Sequence, residues 1–328
     1  MRLVTYESNR KWCAGIVIKD KRSGAPGALD KVVDSLAAAK AAHIIADTNF
    51  ISNRDIIQLT PHQQSQLEEG AHTLVNSHPS SSDVFFIEDI QLGPPIPDPD
   101  KIICLGLNYR SHAEEAGLAI PIVPILFAKY RNALNGPTSP IILPSMSQEI
   151  DYEGELAVVI GKQCKNVTAT EALSYVAGYM AFNDVSARDL QFRTGQWLSG
   201  KALDTFAPCG PNLVINEIHN PQALSISTRL NNQILQQGNT RDMIFSVAET
   251  ISYISQIMTL EPGDIIATGT PEGVGFKRNP PIFLCDGDIV EVEIEGIGTL
   301  RNPVIGHKYP SGKFTPKNEN PLRRDLSR

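Results

Sequence analysis

The chain has 328 residues, 41% of them hydrophobic and 20% charged, enough to bury a full core and to divide into more than one domain. Lys and Arg number 29 against 36 Asp and Glu, a formal net charge of −7, so no global positive field exists to hold a phosphate backbone or an anionic lipid surface. Nucleic acid is thus not an expected partner, nor is a membrane, since apolar runs such as 102–105 and 156–160 fall far short of the roughly 20 residues that span a bilayer.

In chain order, the pattern predicts short strands over 3–6 and 14–18, a helix near 31–41, a polar helix near 62–75 and a loop over 77–82. Residues 93–99 pack four prolines into seven positions, too rigid for a helix or a central strand, and mark the expected boundary between a small N-terminal α/β domain (1–95) and a larger domain (100–305). Strand signals dominate the larger domain, at 101–105, 125–128, 153–160, 176–182, 213–215, 265–268 and 289–294. Residues 224–230 and 233–236 flank Asn231-Asn232 as a hairpin, because Asn tolerates the positive φ of a two-residue primed turn. Thr168 with Glu171 and Ser246 with Glu249 form capping boxes for two helices expected to cover a sheet. From His307 on, the polar, Pro- and Lys/Arg-bearing tail (306–328) is expected to be poorly ordered or to wrap a neighbour.

Five scattered cysteines, odd in number and never in a C-x-x-C pair, argue against a disulfide framework or a zinc ribbon and for a reducing compartment. The first residues hold no apolar or Arg/Ser-rich leader and the last form no peroxisomal signal, so a cytoplasmic location is expected, with a mitochondrial one left open.

Asp151-Tyr152-Glu153-Gly154-Glu155 places three carboxylates at period 2 and runs directly into Leu156-Ala157-Val158-Val159-Ile160, apolar on both faces. Glu291, Glu293 and Glu295 share that spacing but alternate with apolar residues, as a solvated strand face does. Acids at the end of a strand buried on both sides need a cation to offset repulsion and desolvation, and oxygen ligands favour a hard divalent ion. After another apolar strand, a helix starting near Asp184 would align Asp184, Arg188 and Gln191 at i, i+4 and i+7. That segment is equally an N-capping acid with a surface ion pair. His112 and Glu115 are i,i+3 neighbours, a spacing that lets a carboxylate orient an imidazole as a base toward water and that charged helix faces also produce. The glycine-rich stretch Thr268-Gly269-Thr270-Pro271-Glu272-Gly273 fits neither nucleotide-loop spacing, so ATP and NAD are not expected; no G-x-S-x-G elbow occurs.

Taken together, Gly106-Leu107-Asn108-Tyr109 with His112, Phe127-Ala128-Lys129, Asp151 to Ala157, Asn183-Asp184-Val185-Ser186-Ala187-Arg188-Asp189, Gly200-Lys201 with Asp204-Thr205-Phe206, and Thr268-Gly269-Thr270-Pro271 resemble the fumarylacetoacetate hydrolase family over roughly residues 100–305. Arg278 to Leu284 looks closest to its domain-containing-protein-2-like branch. The resemblance implies an α+β, predominantly β fold, a mixed β-sandwich roll, usually a homodimer. It implies Mg²⁺ (Mn²⁺ or Ca²⁺ in some members) on Glu153, Glu155 and Asp184, and His112, Glu115 and Lys201 as catalytic residues. It places Tyr109, Lys129, Arg188, Gln191 and Thr270 at substrate-contacting positions. The implied substrate is a small anionic 2-oxo or 1,3-dicarbonyl acid, hydrolysed at a C–C bond in the acylpyruvate manner or decarboxylated, the metal stabilising an enolate. Oxaloacetate keto–enol tautomerisation at the same metal is the alternative. A third reading, from another class, is a non-catalytic metal-binding scaffold.

Overall fold

The computed structural model describes residues 1–19, 30–44 and 51–306; the tail from His307 lies outside the described residues. The fold is α+β and mostly strands, built from a 12-stranded mixed sheet, a five-stranded mixed sheet and one two-stranded pairing. The large sheet runs Val84–Phe86, Lys31–Asp34, Lys11–Ile18, Arg2–Ser8, Ala207–Val214, Val176–Asn183, Gly154–Ile160, Ile265–Ala267, Ile102–Gly106, Ile125–Lys129, with Leu92–Gly93 added on Arg2–Ser8 and Leu134–Asn135 on Ala207–Val214. Leu3 pairs with Leu213, so the strands on either side of the Pro-rich segment share one sheet. Pro95 lends its carbonyl to Thr5 and Asn53.

The central strand Gly154–Ile160 explains the layering. Its side chains alternate between two apolar clusters: Ala157 and Val159 join Leu3, Ile16, Val33 and Leu67, while Leu156, Val158 and Ile160 meet Ile226, Val292 and Leu300 of the five-stranded sheet and Ile251 and Ile254 of the helix Val247–Ile257. A strand buried on both faces reads as a continuous apolar run for that reason. The Asn231-Asn232 hairpin forms as expected, with φ of 49° and 69°. Ser246 caps Val247–Ile257 through a reciprocal box with Glu249. Ser246→Ala is expected to cost about 1 kcal/mol, a fall of ~2–4 °C in melting temperature. The Ser246 hydroxyl and then its N–H hold the Glu249 carboxyl below the usual range. The box therefore contributes fully above the unfolded carboxylate pKa and is lost as pH falls, so the gap between variant and wild type in thermal melts should narrow in acid.

Several elements differ from the sequence reading. The helix predicted over 31–41 is a strand, Lys31–Asp34, followed by the helix Ser35–Ala41, because Val32 and Val33 pair with Val17 and Ile16 and the Asp34 carboxylate caps the helix at Ala37 N. The strand expected at 213–215 begins at Ala207. Strands Ile141–Leu143 and Gly298–Gly306, unpredicted, pair in parallel at the edge of the smaller sheet. The helix expected near Asp184 starts only at Arg188: Ser186–Ala187 is extended against Ile150–Asp151. Asp184, Arg188 and Gln191 thus do not form one helical face.

Candidate active site

Strand register assembles the acids. Gly154 pairs with Asn183, so Glu153 and Asp184 fall side by side at the strand ends, with Asp184 N donating to Glu153 O (2.9 Å) and Glu153 N to Asn183 Oδ1 (3.0 Å). Glu155, two residues into the strand run, accepts from Gly269 N (2.8 Å). Gly269 has φ +92°, a conformation that suits glycine, and a Cβ there would strike Asn108. Glu153, Glu155 and Asp184 are buried and offer ligand oxygens within 4.8 Å of one another.

Three cations meet these acids. The Lys201 ammonium, at the end of the helix Leu198–Lys201, lies 2.7 Å from Glu153 and 2.8 Å from Asp184. Arg188 pairs with Asp151 (2.8 Å) and Glu153 (2.6 Å) and donates to Gln191 Oε1 (3.0 Å), its guanidinium 4.3 Å above the Phe276 ring. Lys129 pairs with Asp184 (2.7 Å) and donates to the carbonyls of Val185, Lys201 and Phe206.

Four carboxylates (Asp151, Glu153, Glu155, Asp184) thus face three cations, and among the described residues Glu155 has no cationic partner. Burial alone would raise the Glu153 carboxyl, but Arg188 and Lys201 outweigh it and hold it well below the usual range. Burial, then Asp184 and Glu153, push Glu155 far above that range. Burial opposes the Lys201 charge, yet Asp184 and Glu153 raise its pKa. An uncompensated buried carboxylate in an all-oxygen triad fits a hard divalent cation, whose ligand distances of ~2.0–2.6 Å suit oxygens this close. The triad could hold such an ion.

Beside the triad opens a cavity of about 70 Å³. Of the residues expected at the site, Glu153, Glu155, His112, Arg188, Gln191, Lys201 and Thr270 line it. His112, on the helix Arg110–Ala116, turns Nδ1 toward Glu115 Oε2 at 3.4 Å, a loose contact. The Glu115 carboxylate in turn accepts from Gly273 N at 3.0 and 3.1 Å, which fixes the helix to the glycine-rich loop. Thr270 donates to Gly154 O and accepts from Gln236 Nε2.

Two expected substrate contacts lie elsewhere. Lys129 is beneath the acids, its ammonium surrounded by three carbonyls and Asp184, and does not line the cavity. Tyr109 is wholly buried in the core between the sheets, and its hydroxyl has no hydrogen-bond partner among the described residues. Burial, then Glu155 and Asp242, push that phenol well above its ordinary range. Sequence reasoning missed Asp151 as the anchor that accepts from Arg188, Gly275 N and Phe276 N. It also missed the apolar wall of Phe127, Trp197, Phe192 and Phe276, for which no local pattern gave a signal.

A two-sheet α+β fold that buries an oxygen triad able to hold a divalent cation, two of its acids lining a small, partly apolar cavity, is the arrangement of an enzyme site. The sequence model described as Fumarylacetoacetate (FAA) hydrolase C-terminal matches residues 101–305, and the chain belongs to that family of enzymes. It is 53% identical to "Fumarylacetoacetate hydrolase domain-containing protein 2 homolog" of Dictyostelium discoideum over 66% of this chain and 75% of that protein. It is 50% identical to "Oxaloacetate tautomerase Fahd2a, mitochondrial" of Rattus norvegicus over 64% of this chain and 68% of that one. The crystal structure of 5-carboxymethyl-2-hydroxymuconate delta-isomerase from Mycobacterium smegmatis superposes with a TM-score of 0.70 at 34% identity, covering 94% of this chain and 100% of that one. Among the described residues, no helix is long and apolar enough to cross a membrane.

Proposed function

We propose that the enzyme is a Mg²⁺-dependent keto–enol tautomerase of a small 2-oxo diacid, oxaloacetate, with Glu153, Glu155 and Asp184 as ligands. The observation that carries this reading is one imidazole, His112, on the wall of a cavity that Glu153 and Glu155 of the acid triad also line. Keto–enol exchange needs a group that takes a proton from carbon and returns one to oxygen, and histidine suits that work. The relatives named as an oxaloacetate tautomerase and a delta-isomerase support the reaction class. The cavity's size supports a small substrate, since 70 Å³ is room for about five waters, the scale of a four-carbon acid.

When bound, the divalent ion supplies a Lewis acid to the substrate's carboxylate and oxo oxygens. The chain's own residues do the rest. His112 takes the C3 proton as the C2–C3 bond becomes double and the carbonyl electrons move to oxygen, and a proton is returned to that oxygen. Lys201, held as an ammonium between Glu153 and Asp184, keeps positive charge at the cavity where negative charge develops. Arg188 holds Gln191, and Phe127, Phe192, Trp197 and Phe276 give the cavity an apolar wall, beside which these interactions are stronger than in bulk water.

A second reading, C–C hydrolysis or decarboxylation of an acylpyruvate-type acid, is favoured by one feature: Glu115 stands next to His112 as the partner that water activation requires. A proton NMR time course with oxaloacetate and, separately, acetylpyruvate, each with Mg²⁺ and with EDTA, separates the two. The proposal expects EDTA-sensitive acceleration of enol–keto exchange of oxaloacetate without new products. Acetate and pyruvate released from acetylpyruvate, with no acceleration of exchange, would replace it by hydrolysis.

A further inference from the structure

Among the described residues, the Lys and Arg side chains that line the cavity are ion-paired. Arg188 and Lys201 line it, and both are ion-paired with the protein's own acids, while Lys129 is buried beneath them. The triad and its ion account for one end of a 2-oxo acid, the adjacent oxo and carboxylate oxygens. A diacid carries a second carboxylate beyond that end, and the remaining wall, with Phe127, Trp197 and Phe276, offers it no charge.

Lys277 does not itself line the cavity but touches two residues that do. Its ammonium donates to Ala116 O (3.2 Å) and lies 5.2 Å from the centre of the Phe276 ring. Ala116 and Phe276 both line the cavity, so the charge sits between two wall residues, on an exposed side chain with no carboxylate partner among the described ion pairs. A carbonyl and a ring face engage an ammonium weakly compared with a carboxylate, and a lysine stem can swing to a better partner.

We propose that Lys277 is the specificity-determining residue that recognises the second carboxylate and so sets the preference for diacids over monoacids. This rests on the tautomerase reading for the reaction and on the cavity geometry for the residue. Lys277 is a binding residue in this assignment; His112 remains the proton carrier.

The test pairs two acids that differ only in the charged group, oxaloacetate and 2-oxobutanoate, followed by catalysed C3 hydrogen–deuterium exchange in D₂O with Mg²⁺. Lys277→Gln should lower the ratio of kcat/KM for the diacid to that for the monoacid about three- to fivefold, through KM, the range of one exposed ion pair. Lys277→Arg should restore most of the ratio. A ratio that stays the same while both substrates slow together would overturn the proposal and leave Lys277 as a brace on the Ala116 carbonyl.

A second arm does not depend on turnover. Calorimetric titration with malate and with 2-hydroxybutanoate in the presence of Mg²⁺ should show the same selective loss for malate in Lys277→Gln. If wild type fails to exchange oxaloacetate but this selective loss appears, the tautomerase reading falls and the Lys277 assignment stands. If binding of both acids is equally affected or unaffected, the assignment falls whatever the reaction proves to be.

Discussion

Glu155→Gln is expected to abolish the stabilisation that Mg²⁺ confers while leaving the metal-free protein at least as stable as wild type. Among the described residues Glu155 is the acid of the site without a cationic ion-pair partner, buried and facing Asp184 and Glu153, and the hydrogen bond it accepts from Gly269 N can be made to an amide oxygen as well. The amide cannot ionise, so it brings neither repulsion nor a titration cost to the metal-free triad, and it removes a charged ligand from the filled one. In wild type, Mg²⁺ at a hundred times its Kd should add about 2.7 kcal/mol by mass action. Thermal melts with and without Mg²⁺ should show that increment in wild type and not in the variant, and activity should fall about a hundredfold or more, the scale of several kcal/mol of lost Lewis-acid stabilisation. Glu153→Gln makes the complementary case. It also removes a ligand, but it strips Arg188 and Lys201 of a buried partner and should destabilise the metal-free fold by about 3 kcal/mol. Opposite effects on metal-free stability with the same loss of metal response would be hard to explain unless the triad is the cation site. A full Mg²⁺ shift in Glu155→Gln would remove Glu155 from the ligand set.

His112→Ala should lower kcat for oxaloacetate exchange by about 10²–10⁴, the usual contribution of a positioned acid–base group, while keeping the Mg²⁺ stabilisation. The imidazole lines the cavity, and among the described residues no hydrogen bond or ion pair joins it to the three acids, so its loss should leave the ligand set in place. Glu115→Gln bears on how the ring is held. Since Glu115 is also tied to Gly273 N, that variant should loosen the helix Arg110–Ala116 and slow exchange less than loss of the ring itself. Stopped-flow rates of enol ketonisation for the two variants decide the matter. Near-wild-type kcat in His112→Ala would move the proton-carrying role to another group, with Lys201 next in line by position.

The parts of this site that were legible in sequence are those whose cost is local. Glu153 and Glu155 stood out because they lead into a run that alternation rules out as a solvated edge, and the structure buries that run on both faces. The Asn231-Asn232 turn and the Ser246 box were legible because cap and turn chemistry lies within four residues. Failures came where distant partners decide. Val32 and Val33 follow the strand Lys11–Ile18 rather than the helical pattern around them, and Ala207–Val214 hides behind Pro208, Gly210 and Pro211. Lys129 sits in the same motif that the resemblance aimed at substrate, yet its ammonium is committed to three carbonyls and an acid from residues 184–206, an arrangement no spacing reveals. Asp151 was marked as one of three acids at period 2, but its partner Gly275 lies 124 positions away, so its role as an anchor was hidden; Trp197 and Gln236 also act through distant contacts, and nothing in their own neighbourhoods marked them.

The most direct test of the account is the rate at which the purified enzyme converts enol-oxaloacetate to its keto form, followed by loss of enol absorbance with Mg²⁺ and again after EDTA. The account expects a rate far above the buffer reaction that collapses on chelation and returns with excess Mg²⁺. A rate indifferent to EDTA, or no acceleration in a sample whose thermal stability responds to Mg²⁺, would contradict it.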